Sequence, residues 1–134
     1  MSRKSARESA FKIIFETPFH TQKDLDGIWD IFQTSDEYAA LSPSDCEYIK
    51  KTVADCFANL AEVDAVLTGS LKNWSIDRIP KVNLAIMRLA LSEMKYGGIP
   101  YQISINEAVE LAKKFGDDQA PSFINGVLAD TIEH

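Results

Sequence analysis

The chain has 134 residues, 46% of them hydrophobic, and a formal net charge of −6 at pH 7. That is enough for one domain with its own core. No apolar run approaches the roughly 20 residues of a membrane span, and the acidic balance argues against a protein that grips nucleic acid over its whole surface.

The charge is uneven. Residues 1–12 carry Arg3, Lys4, Arg7 and Lys12 against Glu8 alone, +3, which leaves 10 basic and 19 acidic side chains, −9, for the rest. A short basic arm therefore sits on an acidic body. The opening Met-Ser-Arg-Lys has no apolar segment behind it, so no secretory leader is expected. Helical periodicity dominates the chain, and no alternating segment is long enough for a strand. The first helix is predicted over about Lys4 to Glu16, with Ala6, Ala10, Ile13, Ile14 and Thr17 inward, and Pro18 ends it. The second runs from about Asp24 to Thr34, with Leu25, Ile28, Trp29 and Phe32 on one face.

Ser42-Pro43-Ser44-Asp45 is a strong helix start, with Ser42 as N-cap, Pro43 at N1 and Asp45 at N3. The helix after it reaches about Leu71, burying Tyr48, Ile49, Val53, Phe57, Leu60, Val63 and Leu67. Its length suggests a break near Asn59. Cys46 and Cys56 fall in this stretch, ten residues or roughly 15 Å apart along a helix axis. That is too far for a disulfide, so reduced thiols in a cytoplasmic protein are expected. His20 and His134 are isolated, and neither cysteine has a partner at ligand spacing, so no metal site is expected.

Lys72-Asn-Trp-Ser-Ile-Asp-Arg-Ile-Pro80 is the candidate junction between two sub-bundles, about 1–73 and about 74–134. Val82 to about Tyr96 is apolar nearly all round, the mark of a central buried helix. Gly97-Gly98 closes it. Ser104 and Glu107 then stand at capping-box spacing. Ile105, Ala108, Val109, Ala112 and Phe115 make one apolar face, and Gly116 stops that helix. A last helix spans about Ala120 to Ile132. Gly126 inside it costs roughly 1 kcal/mol against alanine, which a close helix–helix approach there would explain. The prediction is an all-α chain of about six to seven helices in two packed sub-bundles.

No catalytic constellation stands out. The chain has no Gly-rich phosphate loop, no nucleophile with a base and no paired carboxylates in an apolar setting. Asp117-Asp118 reads as a solvated loop. Arg3, Lys4 and Arg7 lie one turn apart, so they are expected to form an exposed cationic stripe that could neutralise RNA phosphates. A solvated N-terminus is the plain alternative. Phe15 suits either a stacking site or the core. Arg88 sits in an apolar helix and needs a carboxylate or a phosphate, with Glu107 and Glu93 the expected partners.

Ile105-Asn-Glu-Ala-Val-Glu-Leu-Ala-Lys113, the acidic connection and Phe123-Ile-Asn-Gly-Val-Leu128 together resemble the signature of the NusB family of bacterial transcription antitermination factors. Ala6-Arg-Glu-x-Ala10, Trp74-x-x-x-Arg78-Ile79-x-x-Val82, Ile86-Met-Arg-Leu-Ala90 and Glu93 extend the resemblance over residue 3 to about 130. It implies an all-α fold and a non-catalytic scaffold without a cofactor. Such a factor binds boxA-like single-stranded RNA of nascent ribosomal transcripts together with NusE, a small-subunit ribosomal protein, and loads onto RNA polymerase. By resemblance, Arg3, Lys4, Arg7, Phe15, Asn83, Arg88 and Gln119 border the RNA. Ser5 stands where the family often has arginine, acidic residues are common at positions 83 and 119, and Leu84 replaces a frequent basic residue. Two rivals remain. One is a NusB-like protein-interaction adaptor or homodimer with little RNA binding. The other is a NusB-like domain detached from a ribosomal RNA cytosine methyltransferase, whose catalytic α/β unit this sequence lacks.

Overall fold

The computed structural model describes residues 3–17 and 22–132, and every described element is helical. Pro18, His20 and His134 lie outside these residues. In chain order the helices are α1 (Lys4–Glu16), α2 (Gln22–Phe32), α3 (Asp36–Ala39), α4 (Pro43–Ala58), α5 (Leu60–Ser70), α6 (Lys81–Tyr96), α7 (Tyr101–Phe115) and α8 (Ala120–Ile132), with one 3-10 turn at Ile76–Arg78. Among the described residues, no helix is long and apolar enough to cross a membrane.

The α6 helix is the axis of the molecule. Ala85, Ile86, Met87, Leu89, Ala90 and Leu91 are all buried, which matches its all-round apolar sequence. Helices α1 and α4 pack on it and on each other; α7 and α8 pair and also pack on it, and α5 lies against α8 and α6. The α1 face is built from Ala6, Ala10, Phe11, Ile13 and Ile14, and Thr17 Oγ1 donates to the Ile13 carbonyl at 2.7 Å to satisfy the helix end.

Local chemistry sets the boundaries. Ser42 Oγ accepts from the Asp45 amide at 3.1 Å and Pro43 follows at N1, as the sequence predicts. The predicted break falls at Asn59, whose side chain donates to the Asp55 carbonyl at 2.9 Å and so competes with the helix ladder. The four-residue α3 is too short to show periodicity. Its only sequence signal is the Ser35 cap, which accepts from the Tyr38 amide.

Three expectations need correction. The capping box is absent: α7 starts directly after Pro100, so Ser104 is already inside the helix and buried, and it donates to Glu93 instead. Gly126 marks no close approach, because nothing lies within 4 Å of where its Cβ would stand. Close approaches occur instead at Gly97, where a Cβ would sit 2.9 Å from the Glu93 carbonyl oxygen, and at Gly116, where it would sit 2.6 Å from the Ala120 Cβ and 3.0 Å from the Ala112 carbonyl oxygen. Arg88 pairs with neither expected glutamate. Its Nε and Nη2 donate to the two oxygens of Asp64 on α5, at 2.9 and 2.8 Å.

The Arg88–Asp64 fork is half-buried, with side chains 13% and 26% exposed. That places it between an exposed pair, worth under about 1 kcal/mol, and a buried one whose breakage costs about 3–5 kcal/mol. Arg88→Ala should therefore lower the unfolding free energy in urea by about 2 kcal/mol. A change under about 0.5 kcal/mol would mean that solvent already screens the pair. Cys46 and Cys56 are both free thiols. Burial pushes the Cys56 thiol up to about 11, against a hydrogen bond with Ser92 that lowers it.

Candidate nucleic-acid interface

Two of the three cations expected in an exposed stripe are tied into the protein. Arg7 is 8% exposed and its Nε donates to Glu93 Oε2 at 2.9 Å, with Glu107 3.7 Å from its Nη1. The cause is helical spacing. Arg7 is four residues from Phe11 and seven from Ile14, so it shares their inward face. Burial works against its charge, but the hydrogen bond and charge of Glu93 outweigh that and hold its pKa above the ordinary value. Glu93 also accepts from the Tyr48 hydroxyl and from Ser104 Oγ at 3.0 Å. Burial and the adjacent Glu93 carboxylate raise the Tyr48 pKa. Arg7, Tyr48, Glu93 and Ser104 thus tie α1, α4, α6 and α7 together.

Arg3 is held more loosely. Its Nη2 donates to Ser44 Oγ at 3.0 Å, its Nε lies 3.3 Å from Asp45, and its guanidinium sits 4.7 Å over the Tyr48 ring. Lys4 is exposed. It lines a cleft of about 300 Å³ between α1 and α7 together with Glu8, Glu110, Lys113 and Lys114.

At the other end of α1, Phe15 is 43% exposed, so it is not the core phenylalanine that its spacing also allowed. Its ring is 6.0 Å from Phe11, and Phe11 is 5.1 Å from Phe115 at the end of α7. Lys12 and Lys114 lie 5.9 and 5.4 Å from the Phe115 ring. The Lys114 ammonium is 2.8 Å from Glu8, a pair open enough to be weak. A phosphate could therefore compete for it. Gln119 is exposed, four residues past Phe115. Asp117 of that connection is a helix cap, its Oδ1 accepting from the Gln119 and Ala120 amides. Asn83 is buried at 6% exposure, its Oδ1 near the Gly116 backbone, because it sits on the inner side of α6 between Val82 and Leu84.

The arrangement can stack a base on Phe15 and neutralise phosphates with Lys4, Lys12 and Lys114. Of the seven residues singled out from sequence, Lys4, Phe15 and Gln119 are exposed and Arg3 is half-exposed. Arg7, Arg88 and Asn83 face inward or into ion pairs. Lys12, Lys114 and Phe115 join Arg3, Lys4, Phe15 and Gln119 as candidate site residues that the sequence reading does not single out. The signal was there in aromatic residues beside lysines at both helix ends. Among the described residues, no cluster of His, Cys, Asp or Glu could hold a metal ion.

The NusB family model matches residues 4–133. A transcription antitermination protein NusB of Natranaerobius thermophilus is 42% identical over 96% of this chain and 92% of its own length. Its counterpart in Clostridium botulinum is 36% identical over 98% and 100%. Among solved structures, NusB of T. maritima superposes with a TM-score of 0.87 at 27% identity, covering 100% of this chain and 92% of that one. A crystal structure of antitermination factors NusB and NusE in complex with dsRNA gives 0.81 at 25% identity, covering 98% and 96%.

Proposed function

This chain belongs to the NusB family, and from that premise we propose that it is a cytoplasmic transcription antitermination factor. It binds boxA-like single-stranded RNA of nascent ribosomal transcripts jointly with NusE, and acts as a non-catalytic scaffold on RNA polymerase. Its relatives are named for antitermination and are matched over 92% and 100% of their own length. That supports this reading over a domain detached from a methyltransferase.

The observation that carries RNA binding is the exposed Phe15 on α1, joined through Phe11 to Phe115, with Lys12 and Lys114 beside the Phe115 ring. We place the RNA along α1, from Arg3 and Lys4 to Phe15, with Gln119 at its edge. Arg7, Asn83 and Arg88 act from behind that surface by holding the helices that present it. Three or four phosphate contacts give only limited affinity at physiological salt, so a co-binding protein fits the physics. The packing of α5 on α8 supports setting the junction between the two sub-bundles near Asn59, earlier than about residue 73.

The test is transcription in vitro through a terminator downstream of a boxA element, with RNA polymerase and NusE present. Adding the chain should raise read-through, and a template with a scrambled boxA should abolish the gain. Equal read-through with and without the chain would contradict the proposal.

A further inference from the structure

A second aromatic surface lies away from α1. Trp74 is 56% exposed, although tryptophan usually buries much of its large apolar area. It borders a shallow depression of about 330 Å³ together with Lys72, Asn73, Phe123, Gly126 and Asp130. Gly126 leaves the α8 side open, with no atom within 4 Å of its missing Cβ. A glycine at such a point lets a ligand lie against the backbone. The local charge also departs from the chain's net acidity. Lys72, Arg78 and Lys81 are exposed on this segment, against Asp77 and Asp130, in a protein of net charge −6. The Lys72–Asp130 pair, at 3.6 Å, leaves the lysine side chain 65% exposed.

The shelf begins one helical turn past Gln119, which is exposed. Gln119 is on the connection to α8, the Phe123 amide donates to the Gln119 carbonyl at 3.1 Å, and Phe123 lines the shelf with Trp74.

We infer that the Trp74 shelf is a second stacking platform for the same single-stranded RNA, engaged only when the strand is long enough to run past Gln119. A base stacks on Trp74 and its flanking phosphates meet Lys72 and Arg78. This rests on the RNA reading above.

The experiment uses fluorescein-labelled single-stranded RNA of about 6 and about 16 nucleotides at low salt. Trp74→Ala should weaken the long RNA by about tenfold and leave the short one unchanged, and Trp74→Phe should restore most of the loss. In a Trp29→Phe background the remaining Trp74 emission should be quenched by the long RNA and not by the short. The pair Lys72→Ala, Arg78→Ala should flatten the salt slope for the long RNA alone by about 1.4. If the short RNA binds but the long one ignores Trp74, the shelf is not an RNA surface and a protein occupant takes its place. Equal losses for both lengths would show that Trp74 acts through the fold, which also overturns the inference. If neither RNA binds the parent protein, the RNA reading itself fails.

Discussion

Glu93→Gln should cost the protein about 3 kcal/mol or more of unfolding free energy, the largest effect of any single polar change. The carboxylate is 2% exposed and receives Arg7, Tyr48 and Ser104 from three other helices. Glutamine keeps the shape and some hydrogen bonding but removes the charge. Arg7 is then left 8% exposed with only the more distant Glu107, 3.7 Å away, to balance it. Urea unfolding followed by circular dichroism reads the loss, and a change under about 1 kcal/mol would mean the network is wetter than its burial implies. The pH dependence has a definite sign. The Tyr48 pKa is raised from its ordinary value of 10.0, so the protonated tyrosine contributes stability that is fully present below pH 10 and declines above it. Glu93→Gln should flatten that alkaline decline, because the neighbouring negative charge is gone.

Phe15→Ala should weaken binding of single-stranded boxA RNA by about tenfold while leaving the salt slope unchanged, since a stacking contact releases no counterions. The pair Lys12→Ala, Lys114→Ala should do the reverse in kind and flatten the slope of log K against log salt by about 1.4. Helical content should hold in both, because Phe15 is 43% exposed and the two lysine side chains 43% and 59%. Removing Arg7 is no test of this surface. Its loss would strand Glu93 in the core, and any fall in RNA binding would report unfolding. If Phe15→Ala binds as the parent does, the RNA lies elsewhere on the molecule.

The helices were legible because their apolar spacing is local. Ser42-Pro43 and the break at Asn59 are written within a few residues of where they act. The interior polar network was harder to see. Arg7 and Glu93 are 86 residues apart in sequence, and nothing local pairs them. Arg7 could be read two ways, as one turn from Lys4 or as in line with Phe11 and Ile14, and core packing decided for the second. Ser104 and Glu107 have the spacing of a capping box, yet Pro100 starts α7 earlier, so both side chains are turned to tertiary partners. Arg88 needed a carboxylate, as the sequence required. The one it found, Asp64, is on α5, which the fold brings alongside α6. A glycine inside a helix suggests close packing, but the open surroundings of Gly126 place it on the surface.

The most direct test of the central claim is one fluorescence titration of labelled boxA RNA with the chain alone and with NusE at the same salt concentration. The account predicts weak binding alone, tightening by about tenfold or more with NusE, and a salt slope for the chain alone of about −2, set by roughly three phosphate contacts at Lys4, Lys12 and Lys114. An affinity that NusE leaves unchanged, or binding indifferent to salt, would contradict it.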